Sequence, residues 1–161
     1  MDGIISLISP TLTILGWGIA FQMAKMNSTR TESKSIMDAC NQIIDSLSEK
    51  GASFYLDKPV DDFEKRAFEH LSNIKIAAIY KKIEHLNQRG INVSDEMISD
   101  FHVALTRNIL DQGTDKRRPD TYVHAIFTAS SDITSTLMLK FQKKYPPFNG
   151  VKSLKQLFSF S

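Results

Sequence analysis

The feature that most constrains this chain is an apolar run near its start, IISLISPTLTILGWGIAFQMAKM, from Ile4 to Met26. It carries no charged residue before Lys25, whereas charged residues recur every few positions in the rest of the chain. A helix of about twenty residues crosses a hydrocarbon core of roughly 30 Å. An apolar helix needs either lipid or other protein around it. We therefore expect a transmembrane anchor in residues 1–27.

Pro10 leaves the start of this helix open. Inside a continuous span it removes one backbone hydrogen bond, which membrane helices tolerate. If Ser9 is instead the N-cap and Pro10 the first helical residue, the apolar part is marginal for a span. A buried helix at the centre of a soluble bundle is a further alternative. So is a cleaved signal peptide, although no basic residue precedes the run.

The distribution of positive charge predicts a topology. Basic residues follow the apolar run and none precedes it, so the C-terminal side is expected in the cytoplasm and a short N-terminus outside. We expect the basic residues beside the run and in the TDKRRP stretch to contact anionic lipid headgroups; these are Lys25, Arg30, Lys34, Lys116, Arg117 and Arg118. Solvated helix ends are the alternative interpretation of the basic clusters.

Small residues recur every four positions within the run, at Gly16, Ala20 and Ala24. In a helix this spacing places them on one side, where a second helix can approach closely. We therefore expect these three residues to mediate self-association of the helix.

The remaining chain is predicted to be helical. Residues 28–35 are rich in Ser and Thr and form either a juxtamembrane linker or a continuation of the first helix. The bundle follows in residues 36–161. Ile36, Cys40 and Ile44 begin a helical apolar pattern, and Gly51 is its predicted end.

A long second helix is expected from Pro59 to Gly90. Its predicted buried side comprises Val60, Phe63, Ala67, Leu71, Ile74, Ala78, Ile79, Ile83 and Leu86. A third helix is expected after Ser94, ending at Gly113, and a fourth from Pro119 through the polar stretch FTASSDITST. No segment alternates as a strand would. The predicted fold is all-α, with an N-terminal single transmembrane helix and an antiparallel cytoplasmic bundle of about four helices.

The chemistry of the sequence favours no enzyme. His70, His85, His102 and His124 are scattered, Asp100 and His102 point to different sides of a helix, and Cys40 is the single cysteine. There is no nucleophile motif and no glycine-rich phosphate loop. The formal net charge of +2 is too small to indicate nucleic acid as a partner. We expect no metal and no cofactor.

Together these features predict a non-enzymatic, single-pass interaction module that holds a helical bundle at the membrane. Its partner is a protein or a second copy of the chain. Membrane regulation, assembly, and exclusion or defence suit such a module, an association that rests on size and architecture alone. Two alternatives stay open. One is an oligomer of the first helix that permeabilises membranes, with Ser9, Thr13 and Gln22 along a polar seam. The other is a soluble all-α protein with a buried first helix.

Overall fold

The structure, a computed structural model, describes residues 2–56, 61–110 and 119–146; the side chains of residues 2–11 and 108–110 lie outside this description. Within these ranges the chain forms four helices and no strand: α1 (Asp2–Leu56), α2 (Asp62–Gln88), α3 (Asp95–Leu110) and α4 (Pro119–Lys144). The predicted all-α class is confirmed. The chain divides into two compact units, Met1–Ser35 and Ile36–Ser161, and α1 contributes to both.

The Ser- and Thr-rich residues 28–35 are helical and belong to α1. Their hydroxyl groups bond to the helix backbone. Thr29 Oγ1 donates to the Lys25 carbonyl at 3.0 Å, and Ser33 Oγ donates to the Thr29 carbonyl at 2.7 Å. A hydroxyl bonded to the carbonyl four residues earlier shares an acceptor of the helix and is compatible with an unbroken helix. The structure therefore has a continuing helix here, the second of the two interpretations of this stretch.

The predicted helix end at Gly51 is wrong, because α1 continues to Leu56. Gly51 is buried inside the helix. A Cβ atom built on it would lie 2.8 Å from Leu105 Cδ2 and 3.1 Å from Ile126 Cδ1. This glycine therefore lets α1 approach its neighbours closely, a role that the local sequence does not distinguish from a helix end.

A capping box starts α2. The Glu64 backbone N–H donates to Asp61 Oδ1 at 2.8 Å, and the Asp61 N–H donates to Glu64 Oε2 at 3.4 Å. These bonds satisfy two groups that the first turn of a helix leaves without intrahelical partners. Asp61 is thus the N-cap, later than the expected start at Pro59, which lies outside the described residues.

Gly90 ends α2 as predicted. Its φ of +79° is left-handed, a conformation that glycine adopts without steric cost. The Gly90 N–H donates to the Asn87 carbonyl at 2.9 Å, and the Ile91 N–H donates to the Leu86 carbonyl at 3.0 Å. This pair of bonds is the Schellman motif, which satisfies the last carbonyl groups of a helix.

The buried side of α2 differs from the predicted one in its first half. Phe63 and Ile74 are 76% and 55% exposed. The buried residues are Phe68, Ser72, Ile76, Ile79, Ile83 and Leu86. Steps of three and four residues lead back from Ile79 to Ile76, Ser72 and Phe68, so one continuous side is buried. The polar Ser72 interrupts this pattern in the sequence, whereas the nearby apolar Ile74 is exposed.

The starts of α3 and α4 agree with the prediction, since α3 begins at Asp95 directly after Ser94 and α4 begins at Pro119. The polar middle of α4 is an unbroken helix, in which Ser130 Oγ donates to the Phe127 carbonyl at 3.0 Å. The predicted end of α3 at Gly113 lies outside the described residues.

The C-terminal part of α1, from Ile36 onwards, runs antiparallel to α2. Near its end, the rings of Phe54 and Phe68 stack with centroids 4.5 Å apart. Near its start, Cys40 and Lys82 are close enough to interact electrostatically. Later residues of α1 therefore meet earlier residues of α2, as in a bundle with antiparallel neighbours.

Pairs of residues in contact also show how α2 and α3 are oriented. Tyr80 Oη donates to the Asp95 carbonyl at 3.4 Å, and His102 Nε2 lies 2.8 Å from Asn73 Oδ1. Moving back along α2 corresponds to moving forward along α3, so these two helices are antiparallel as well.

The same part of α1 also meets α4. The rings of Tyr55 and Tyr122 stack at 5.0 Å, and Gly51 faces Ile126 one turn away. These pairs again run in opposite directions. The described helices of the second unit therefore form an antiparallel bundle, as predicted. Its largest fully buried side chains come from every helix and the α2–α3 loop: Ile44, Leu47, Ile79, Ile83, Leu86, Ile91, Ile98, Phe101, Leu105, Ile126, Ile133 and Leu137.

Candidate functional site

The first unit presents large apolar side chains to its surroundings. Every side chain from residue 12 to residue 28 is exposed. Trp17, Ile14 and Met26 are 77%, 72% and 70% exposed, and Leu12, Leu15, Ile19, Phe21 and Met23 are exposed by more than half. Soluble proteins rarely expose a continuous apolar surface of this kind unless it binds something. This exposed apolar segment, residues 12–26, is the candidate functional site.

The exposed apolar segment is not a stripe on one side of α1. Successive helical residues turn by about 100°, so the large apolar side chains fall in two arcs, with Leu12, Leu15, Ile19, Met23 and Met26 in one and Ile14, Trp17 and Phe21 in the other. One of the two sectors between these arcs carries the small residues Gly16, Ala20 and Ala24, all exposed. A Cβ atom built on Gly16 would meet no atom within 4 Å. The structure therefore places the three small residues together on one open side of the helix, and their predicted role in self-association stays a prediction.

The basic residues at and beyond the C-terminal end of the apolar segment are exposed. Lys25, Arg30 and Lys34 all lie on α1. Lys116, Arg117 and Arg118 lie outside the described residues. Contact of these six residues with lipid headgroups stays a prediction.

Among the residues with described side chains, no helix is both long and apolar enough to cross a membrane. The run predicted to span begins at Ile4, so its residues 4–11 fall outside that set.

The bundle itself has a groove of about 450 Å³ between α3 and α4. Asp100 and Arg107 line it from α3, and His124 and Asp132 line it from α4. His102 does not line the groove, because its side chain bonds to Asn73 of α2. Asp100 and His102 therefore point to different sides of α3, as predicted from their spacing. The sequence gives little indication of this groove. Asp100 and Arg107 are seven positions apart on α3, and His124 and Asp132 are eight positions apart on α4, so each pair lies on one side of its helix.

Cys40 is a structural thiol. It is fully buried, and burial raises its pKa to about 11, an effect that the positive charge of Lys82 partly offsets. A thiol needs its deprotonated form to react or to bind a metal. Within the described residues, no three His, Cys, Asp or Glu side chains form a group that could hold a metal ion.

Comparison with known proteins gives no match: no family model, no curated protein and no solved structure is significantly similar to this chain.

Proposed function

We propose that this protein is a non-enzymatic, membrane-anchored interaction module, in which the first helix crosses the membrane once and tethers the helical bundle. The exposure of the apolar segment carries this proposal. A surface of Leu, Ile, Trp, Phe and Met side chains on two sides of a helix raises the free energy of the protein when it is in contact with water. A hydrocarbon environment removes that cost, and the helix satisfies its own backbone groups there.

The charge distribution supports one orientation. Positive residues lie on the C-terminal side of the segment, at Lys25, Arg30 and Lys34, and positive flanks stay in the cytoplasm. The bundle is then cytoplasmic and the short N-terminus lies outside. In this position the bundle meets its partner, either another protein or a second copy of the chain, at a raised local concentration.

The decisive experiment is carbonate extraction of membranes from cells that express the full chain. We expect the protein to stay in the membrane pellet. The variant Trp17→Glu/Ile19→Glu introduces two carboxylates into the segment, and each costs on the order of 3 kcal/mol at the centre of a membrane helix. This variant is expected in the supernatant.

A matched control makes the same chemical change in the bundle. Phe63→Glu/Ile74→Glu alters two apolar side chains that are 76% and 55% exposed, close to the 77% and 63% of Trp17 and Ile19. This control is expected to stay in the pellet. Extraction of the wild-type chain would overturn the proposal, as would equal retention of both variants. Digestion of the bundle by protease in inside-out but not in right-side-out vesicles tests the orientation.

Self-association through the small residues has its own test. We expect Gly16→Leu/Ala20→Leu to reduce crosslinking between copies in membranes, because leucine keeps two helices apart. Gly18→Leu is the matched control, since Gly18 lies on another side of the helix and a Cβ atom there also meets no atom within 4 Å. Equal crosslinking in all three proteins would refute this interface. Membrane leakage that depends on Gly16 and Ala20 would favour the permeabilising oligomer instead.

A further inference from the structure

The α2 helix carries a second apolar pattern, which the bundle does not bury. Phe63, Ala67 and Ile74 are exposed, and Ala78 is half-buried. Together with the exposed His70 they follow one another at steps of three and four residues, so they share one side of the helix. We call these five residues the outer strip. Four of them belong to the side of α2 that the sequence predicted to be buried.

The outer strip faces away from the core of the bundle. At about 100° per residue, Phe63 and the fully buried Ile79 point about 160° apart. A periodic apolar side is typical of a helix that packs on a neighbour. The buried side of α2 already has its neighbours in the bundle, so the outer strip is a second side of the same kind in contact with water. Such a surface gains free energy when a partner covers it.

Charged residues flank the outer strip symmetrically about Ile74. On one flank Arg66 precedes Ile74 and Glu84 follows it, and on the other flank Glu64 precedes it and Lys82 follows it. The two members of each pair are eighteen residues apart, which makes about five helical turns, so they lie on the same flank. Each flank therefore carries one cation and one carboxylate at similar distances on either side of Ile74.

We propose that two copies of the bundle pair through their outer strips, with the two α2 helices antiparallel about Ile74. A two-fold axis beside Ile74 brings Arg66 opposite Glu84 of the second copy, and Glu64 opposite Lys82 of the second copy. Each of these pairs occurs twice, because both copies use the same surface. Parallel pairing would instead bring each charge level with the same charge of the second copy and align the two helix dipoles in one direction. Opposite charges across the strip therefore select the antiparallel arrangement.

The size of the contact indicates a weak dimer. The 27 residues of α2 make a helix about 40 Å long. A contact about 10 Å wide along it covers about 400 Å² on each copy, roughly half of the 800 Å² that a stable complex buries on each partner. The fraction of paired chains should therefore rise with protein concentration.

The pairing rests on the proposed function in one respect, which is the choice of a second copy as the partner. It involves the second unit alone and does not need the anchor. The charges on which it depends all lie on α2, of which every residue is described.

Disulfide formation in the full chain, purified in detergent micelles, tests the orientation and the register. Antiparallel pairing about Ile74 brings position 67 of one copy beside position 81 of the other, whereas the two copies of either position lie about 21 Å apart along the helices. We expect Ala67→Cys/Lys81→Cys to form disulfide-linked dimers on oxidation, and Ala67→Cys or Lys81→Cys alone to form none. The native Cys40 gives no background because it is fully buried.

Exchange of one charge pair tests the contact across the flank. In the Ala67→Cys/Lys81→Cys protein, Arg66→Glu should slow disulfide formation roughly fivefold, because it faces Glu84 of the second copy at two places. Arg66→Glu/Glu84→Arg should restore the rate. Within one copy these two positions are about 27 Å apart, so the restoration occurs only between copies. The control Lys140→Glu makes the same change of charge at an exposed position of α4 and should leave the rate unchanged.

Removal of the central apolar contact tests the strip itself. Ile74→Glu in the same cysteine protein should abolish the disulfide, because it puts two carboxylates beside the two-fold axis. Phe127→Glu is the matched control, since Phe127 is an exposed apolar residue of α4, and it should leave the disulfide in place. Circular dichroism should show the same helix content in both proteins.

The outcomes separate this inference from the proposed function. The pairing is overturned if the protein with both cysteines forms no disulfide at any concentration, or if the single-cysteine proteins form one as readily. It is also overturned if the charge exchange does not restore the rate, or if Lys140→Glu slows it equally. A chain that forms the disulfide but is extracted from membranes by carbonate refutes the anchor alone. A chain that stays in the pellet but does not pair refutes this inference alone.

Discussion

Replacement of Gly51 by alanine tests the close packing of α1 in the bundle. Inside a helix, alanine is about 1 kcal/mol more favourable than glycine. The structure opposes this gain, because the new Cβ atom would lie 2.8 Å from Leu105 Cδ2 and 3.1 Å from Ile126 Cδ1. Both neighbours are fully buried, so their terminal methyl groups have to shift within the core.

The gain in helix propensity and the cost of overpacking together give the expected change in the free energy of unfolding. An extra methyl group in a well-packed core costs about 1–3 kcal/mol. After subtraction of the propensity gain, we expect Gly51→Ala to lower the free energy of unfolding by about 1 kcal/mol. Denaturant unfolding followed by circular dichroism measures this change as a lower midpoint at constant slope.

Two further variants isolate the cause. Ala77→Gly, at an exposed position inside α2, should cost about 1 kcal/mol and calibrates helix propensity in this protein. In the double variant Gly51→Ala/Leu105→Val the shorter valine makes room for the methyl group, so the double variant should be more stable than the sum of the single changes implies. A Gly51→Ala protein more stable than the wild type by about 1 kcal/mol would refute the reasoning.

Four other predictions concern single residues of the bundle. Ser72 Oγ is buried and makes no hydrogen bond within the described part of the chain, so Ser72→Ala should be neutral or stabilising in thermal unfolding. Ser48→Ala, which loses a 2.8 Å bond to the Ile44 carbonyl, should cost about 1 kcal/mol. Gly90→Ala should cost about 1–2 kcal/mol in denaturant unfolding because its φ is left-handed, and Gly90→Asn should cost less. Burial raises the pKa of Cys40 from 9.0 to about 11, so the folded state holds the thiol proton more tightly than the unfolded state does. The resulting contribution to stability is fully present below pH 9 and is lost as the pH rises towards 11. Cys40→Ala should remove that dependence, and a wild-type stability that is flat over this range would contradict the assignment.

The ends of helices that depend on a single residue's backbone preference could be predicted from the sequence. The end of α2 at Gly90 and the start of α4 at Pro119 depend on backbone conformations that glycine and proline favour by themselves. The apolar run near the N-terminus was also evident, because its lack of charge is a property of the sequence. The structure adds that the side chains of residues 12–26 are exposed.

Other parts depended on residues distant in sequence. The buried side of α2 was misassigned at Phe63 and Ile74, because the sequence shows which residues are apolar but not which side of the helix meets a neighbour. Ser72 is buried by its position rather than by its polarity. The α3–α4 groove combines Asp100 with Asp132, which only the packing of two helices brings together.

The sequence by itself determined that this chain is helical, where several helices begin and end, and that one segment is apolar without interruption. These properties follow from the periodicity, capping groups and backbone preferences of neighbouring residues. Only the tertiary structure decided that Gly51 allows close contact rather than ending α1, and that Lys144 of α4 lies beside Gly90 at the end of α2. The physical reason is that packing contacts join residues that the sequence separates by fifty positions or more, and local preferences carry no information about them.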